Sequence, residues 1–229
     1  MIKIENTIVY GFNEAIRGAR NSWDSHEKSD THDPHDENTA SWKIGDNDLK
    51  LLSNLVKAGD SHAKCMRMVT VWFDLTAPIF FWKHLDTYKH MVKCSESVMH
   101  TITSRPLTMD DFSMDHFIKG NNITEFVIQM LYNYRFAYED AKRENDTEKM
   151  RCWWYKIIEL LPQSYMQKAT ICTNYQTLRN IYLQRKGHRL EEWQQFREWI
   201  EGLPYSELIT GKEKEDDKEK ELEMWSLMS

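Results

Sequence analysis

Several things are missing from this sequence. It has no C-x-x-C pair, no long apolar run, no excess of basic residues and no internal repeat. Its four cysteines, Cys65, Cys94, Cys152 and Cys172, are widely spaced, which excludes a disulfide-framed miniprotein and reads as reduced thiols of a cytoplasmic protein. No uninterrupted apolar stretch approaches the roughly 18 residues of a membrane span. The opening Met1-Ile2-Lys3-Ile4-Glu5 alternates like a strand and carries no apolar targeting segment. A net charge of −6 and a pI near 5.9 argue against a protein that coats nucleic acid, although a local basic pocket for a small anion fits this balance.

What is present is a chain of 229 residues, 41% hydrophobic, with nine Trp, ten Tyr and nine Phe. That suffices for one domain with a real core, placed here at residues 1–210, with a charged tail over 211–229. The aromatic content suits a core, a subunit interface or a planar ligand. Residues 1–10 read as a strand, and within residues 11–23 Glu14-Ala15-Ile16-Arg17-Gly18-Ala19-Arg20 reads as a short helix. Residues 24–41 form a polar loop. Asp46 or Asp48 caps a helix that Gly59 ends, and residues 65–76 make the clearest strand. Pro78 opens a helix to about Lys89, and residues 105–116 form a loop or short helix. Asn121 or Thr124 caps a helix to about Arg143, and another covers 147–161. A helix follows Pro162 to about Lys186, Gly187 breaks it, and a last helix spans Leu190 to Ile200. The fold class is α+β: a small antiparallel sheet covered by several helices, with a helix-rich C-terminal half.

The run with most chemical content begins at Leu160-Leu161-Pro162 and continues through Asn174, Asn180 and Arg185. On one continuous helix the eleven steps from Asn174 to Arg185 return to within about 20° of the same face. An Arg and amides on one helix line can grip an anion and a polar ring; a surface Arg lying along its own stem is the other reading. Arg17 and Arg20 flank Gly18-Ala19, small residues that let a backbone or a phosphate approach closely. Lys83, His84, Tyr88, Lys89, His90 and Lys93 form a basic and aromatic cluster, either a phosphate-binding wall or an amphipathic surface. His26, His32 and His35 lie among carboxylates, ligand types for zinc or iron, but without a metal-site spacing such as H-E-x-x-H; the same loop could act as a lid. No metal site is assigned. His62 reads as a structural histidine on its own, and Ser97 has no base beside it.

In order, these pieces resemble the flavin-dependent thymidylate synthases, the ThyX family. Ile16-Arg17-Gly18-Ala19-Arg20-Asn21-Ser22-Trp23 is similar to the family's A-A-R-x-S-[YF]. His62 precedes the strand Met68–Phe73, where the family has a flavin-facing His and an F-T-F strand. Ala77-Pro78-Ile79-Phe80 opens the helix leading to the family signature, and Leu-Pro, Asn174, Asn180, Arg185 and Leu190-Glu191 form the fourth block. The resemblance implies a homotetramer with sites between subunits. It also implies FAD as cofactor, NADPH and methylene-tetrahydrofolate as co-substrates, and dUMP converted to dTMP. It places Arg185, Ser97, Lys89 and Arg20 at the pyrimidine nucleotide, and His62, Asn180 and Asn174 at the flavin.

The signature itself, R-H-R-x-x-S-x-N-x-x-S-x-R, falls on Thr87, Tyr88, Lys89, Val92, Cys94, Ser97 and Met99. Only Ser97 matches, and Lys89 keeps a positive charge. Ile158 and Gln176 stand where the family has arginines. Two functions follow: a FAD-dependent thymidylate synthase-like methyltransferase acting on dUMP, or a catalytically silent relative that binds or sequesters a nucleotide.

Overall fold

The computed structural model describes residues 1–31, 42–115 and 122–211. Along the chain come β1 (Lys3–Tyr10), α1 (Phe12–Asn21), α2 (Asp46–Lys57), β2 (Thr70–Pro78), α3 (Ile79–Leu85), β3 (Val92–Ser95) and α4 (Val98–Thr101). They are followed by α5 (Asn122–Arg143), α6 (Thr147–Leu160), β4 (Met166–Asn174), α7 (Tyr175–Gln184), α8 (Glu191–Glu201) and α9 (Glu207–Thr210). The strands form one four-stranded antiparallel sheet in the order β1-β2-β4-β3, so the α+β class expected from the sequence is the class observed. No helix among the described residues is long and apolar enough to cross a membrane.

The chain divides into two compact units. The first comprises Met1–Glu5, Asp74–Thr87 and Lys93–Thr170; the second comprises Asn6–Phe73, Tyr88–Val92 and the chain from Ile171 onward. In the first, α5 and α6 pack as an antiparallel pair, and Ile102, Leu107, Phe112, Ile128, Leu131, Ile157 and Tyr165 form the core. Asp146 caps α6 by accepting from the Lys149 backbone N–H at 3.0 Å. In the second, α1 turns Phe12, Ala15, Ile16 and Arg20 inward at helical spacing, and α2 does the same with Asp48, Leu52 and Val56.

Four sequence expectations need correction. Asp46 and Asp48 do not cap α2. Asp30 does so from outside, accepting from the backbone N–H groups of Asn47 at 2.8 Å and Asp48 at 3.1 Å. The strand expected over 65–76 begins only at Thr70, because Ala63–Arg67 is a 3₁₀ turn. Cys65 and Met66 are both buried, and neighbours on a strand point to opposite faces. The Pro78 helix stops at Leu85 instead of reaching Lys89. Finally, Asn174 does not belong to the helix that carries Asn180. The chain first runs through β4, where Ala169, Ile171 and Thr173 are buried and Lys168 and Thr170 are exposed. Asn121 and the tail from residue 212 lie outside the described residues; Thr124 is inside α5.

Gly11 turns the chain from β1 into α1 with φ 101°, a conformation that side chains disfavour. A Cβ there would lie 2.3 Å from the Met68 carbonyl oxygen, which is backbone and cannot swing aside. Gly11→Ala should therefore cost about 2 kcal/mol of stability, read as a lower urea midpoint at unchanged slope.

Candidate functional site

Arg185 follows the last turn of α7. Its Nε donates to the Tyr88 hydroxyl at 2.7 Å. The guanidinium carbon lies 4.6 Å from the Trp193 ring centre and 5.2 Å from that of Tyr88. Both are cation–π distances. Trp193 is fully buried on α8, against Phe196, and the Tyr88 and Trp193 rings meet edge to face at 6.1 Å. The cation is thus held rigidly by aromatic rings. No carboxylate pairs with it among the described residues, and its two Nη groups have no protein acceptor there. An oriented, half-buried guanidinium with a free fork is a receptor for an oxyanion.

A second constellation lies in the same unit. His62 and Ser61 line a cavity of about 400 Å³ with Gly18, Ser22, Trp23 and Met68. Trp23 is 87% exposed and offers a flat indole face at its edge. A Cβ on Gly18 would come within 3.0 Å of the Met68 sulfur, so the glycine keeps this floor open. From the other side, Gln176 on α7 donates through Nε2 to Asp60 at 3.0 Å and to Asn180 at 3.2 Å. Asp60 lies two residues before His62, so a hydrogen-bond chain ties Asn180 to the turn that presents His62.

No protein-family model matches the sequence, and no curated protein matches it. Many solved structures match its shape, and two of them illustrate the likeness. One is thymidylate synthase X (ThyX) from Helicobacter pylori with FAD and dUMP, with TM-score 0.67 and 15% identity, covering 92% of this chain and 97% of that one. The other is the flavin-dependent thymidylate synthase ThyX of the same organism complexed with FAD and dUMP, with TM-score 0.61 and 16% identity, covering 91% and 97%. The fold is ThyX-like.

Within this ThyX-like fold the residues singled out from sequence have separate fates. Asn180, His62 and Arg185 stand in one unit, as do Lys89, which is exposed beside Tyr88, and Asn174. Asn174 is the cap of α7: its Oδ1 accepts from the Thr177 N–H at 2.9 Å. It therefore sits at the opposite end of a ten-residue helix from Arg185, about 15 Å away, and the shared-face geometry expected for the pair does not hold. Ser97 belongs to the other unit, exposed at the start of α4.

Arg20 is an internal anchor and not a solvent-facing phosphate ligand. It is 5% exposed, and its Nε and Nη2 hold Asp48 at 2.6 and 2.5 Å. Its remaining donors reach the carbonyls of Ser25 at 3.0 Å and Lys28 at 2.9 Å. Arg17 stays exposed near Glu14.

The basic cluster read from sequence is divided. Lys93 bonds Asp86 and lies 4.8 Å over the Trp82 ring in the first unit, whereas Tyr88, Lys89 and His90 belong to the second. Ile158, at a position where the resemblance expects an arginine, packs against the core of the first unit. His26 sits in a 3₁₀ turn, while His32 and His35 lie outside the described residues.

Sequence reasoning missed Trp193 as the plate beneath Arg185, and it placed Tyr88 in a basic and aromatic cluster, either a phosphate-binding wall or an amphipathic surface, without pairing it to Arg185. The signal for Trp193 was available: after the Gly187 break, Trp193, Phe196 and Ile200 recur at helical spacing, and one of them had to face the preceding helix end.

Proposed function

We propose that this chain is a flavin-dependent thymidylate synthase-like enzyme of the cytoplasm, acting on a pyrimidine deoxynucleotide such as dUMP. The observation that carries the reading is Arg185, an aromatic-held cation with no carboxylate partner among the described residues, in a ThyX-like fold. Arg185 would take the nucleotide phosphate, with Lys89 of the same unit adding charge.

The cavity beside His62 suits a planar group with a polar edge: an indole face at Trp23, an open floor at Gly18, and donors at Ser22, Ser61 and His62. These residues would hold FAD, with Asn180 fixing the His62 turn through Gln176 and Asp60. When bound and reduced by NADPH, FAD supplies a hydride, and methylene-tetrahydrofolate supplies the carbon that turns dUMP into dTMP. The chain's own contribution is to bind and orient both partners. The exposed Ile123 and Phe126 on α5 are apolar surface of the kind a homotetramer covers.

The test is direct. Purified protein supplemented with FAD should show a perturbed flavin absorption band, bind dUMP, and form dTMP with NADPH and methylene-tetrahydrofolate. Binding of dUMP without flavin would instead establish a silent nucleotide binder, and absence of both would end the proposal. Trp23→Ala should weaken FAD binding about tenfold by removing a stacking surface, at unchanged melting temperature because the indole is almost wholly exposed.

A further inference from the structure

We infer that Tyr88 is itself a ligand of the bound anion, completing with Arg185 a site for a phosphate monoester. This rests on reading Arg185 as the nucleotide-phosphate residue. The Tyr88 hydroxyl oxygen accepts from Arg185 Nε at 2.7 Å, so its own proton points elsewhere. No acceptor for that proton is present among the described residues. The donors left over are therefore the Arg185 Nη fork and the adjacent Tyr88 O–H. They match the three terminal oxygens of a phosphate monoester better than the two of a diester.

The position is fixed from both sides. The Tyr88 ring meets Trp193 edge to face, and two residues on, His90 adopts φ 63° with its carbonyl accepting from Thr173 Oγ1 at 3.3 Å. By the resemblance read from the sequence, Tyr88 falls where the ThyX signature has His and its neighbour Thr87 where it has Arg. The tyrosine thus supplies a neutral donor in a stretch that has lost charge.

The experiment is calorimetric titration of the purified chain and of Tyr88→Phe with dUMP, deoxyuridine and inorganic phosphate. Phe keeps the ring on Trp193 and removes only the hydroxyl. The expected result is a 10- to 100-fold weaker dUMP and phosphate affinity in Tyr88→Phe, with deoxyuridine binding unchanged. A purely structural tyrosine would not separate the phosphorylated ligand from the nucleoside.

Should Tyr88→Phe fail to fold, Arg185→Lys serves as the second variant. It keeps the charge but breaks the link to Tyr88 and should also weaken dUMP and phosphate binding while sparing deoxyuridine. If the unaltered chain binds dUMP and Tyr88→Phe binds it equally well, the inference is overturned while the proposed function stands. If inorganic phosphate binds and is weakened by Tyr88→Phe but dUMP binds no tighter than phosphate, the inference stands and the nucleotide reading falls. If neither ligand binds the unaltered chain, both are overturned.

Discussion

Arg185→Ala should weaken dUMP binding by a factor on the order of 100 to 1,000. The side chain offers a two-nitrogen fork to the phosphate, and each charge-assisted hydrogen bond contributes about 1.5–3 kcal/mol. The fork is already oriented by the Tyr88 hydroxyl and the Trp193 ring, so little rotamer entropy is lost on binding and most of the contact energy appears as affinity. Arg185→Lys keeps the charge and loses the fork, and should fall between the two. Because the guanidinium lies over Trp193 without a carboxylate partner, Arg185→Ala should lower the melting temperature by only a few degrees. Titration calorimetry with a thermal melt checks both halves, and unchanged dUMP affinity in Arg185→Ala would remove the basis of the proposed function.

The largest stability effect should come from Asp48→Ala. Asp48 is fully buried and accepts from Arg20 Nε, from the hydroxyls of Ser29 and Thr31 at 2.7 Å each, and from the backbone N–H groups of Asp30 and Thr31. Removing it strands the Arg20 charge in the interior, which costs about 3–5 kcal/mol, a large part of an ordinary domain's stability. The pH dependence has a defined sign. Burial pushes the Asp48 carboxyl up, but its hydrogen bonds with Thr31, Ser29 and Arg20 outweigh that and hold it below the ordinary 3.8. The unfolded chain therefore binds the proton more readily. The stabilisation is complete well above pH 3.8 and is lost as pH falls through the lower folded value. Asp111 behaves alike, its Arg105 and Thr108 contacts outweighing burial. Urea unfolding at pH 7 and pH 3 should show the Asp48→Ala penalty shrinking at the lower pH; an equal penalty at both would contradict this linkage.

Much of this was legible in the residues, and the failures have specific causes. α1, α2, α5 and α8 were readable because their buried residues recur at helical spacing, and Gly59 and Pro162 mark the ends of α2 and α6. β4 was missed although Ala169, Ile171 and Thr173 alternate with exposed Lys168 and Thr170, because the amides and Arg185 invited a single long helix. That error put Asn174 on a binding face when its local task is to cap α7. Arg20 was assigned to a phosphate for a similar reason: a sequence shows a charge but not the buried Asp48, 28 positions away, that neutralises it.

The sequence by itself determined the α+β class, most helices, and the resemblance that singled out His62, Asn180 and Arg185. These are properties of local periodicity and of motif order, which a linear chain carries. Only the tertiary structure decided which charges are free. It buried Arg20 against Asp48, laid Lys93 over Trp82 beside Asp86, and left Arg185 oriented by Tyr88 and Trp193 without a counter-charge among the described residues. Whether a cation can receive a ligand depends on distances of a few ångströms between residues far apart in the chain, and those distances exist only after folding.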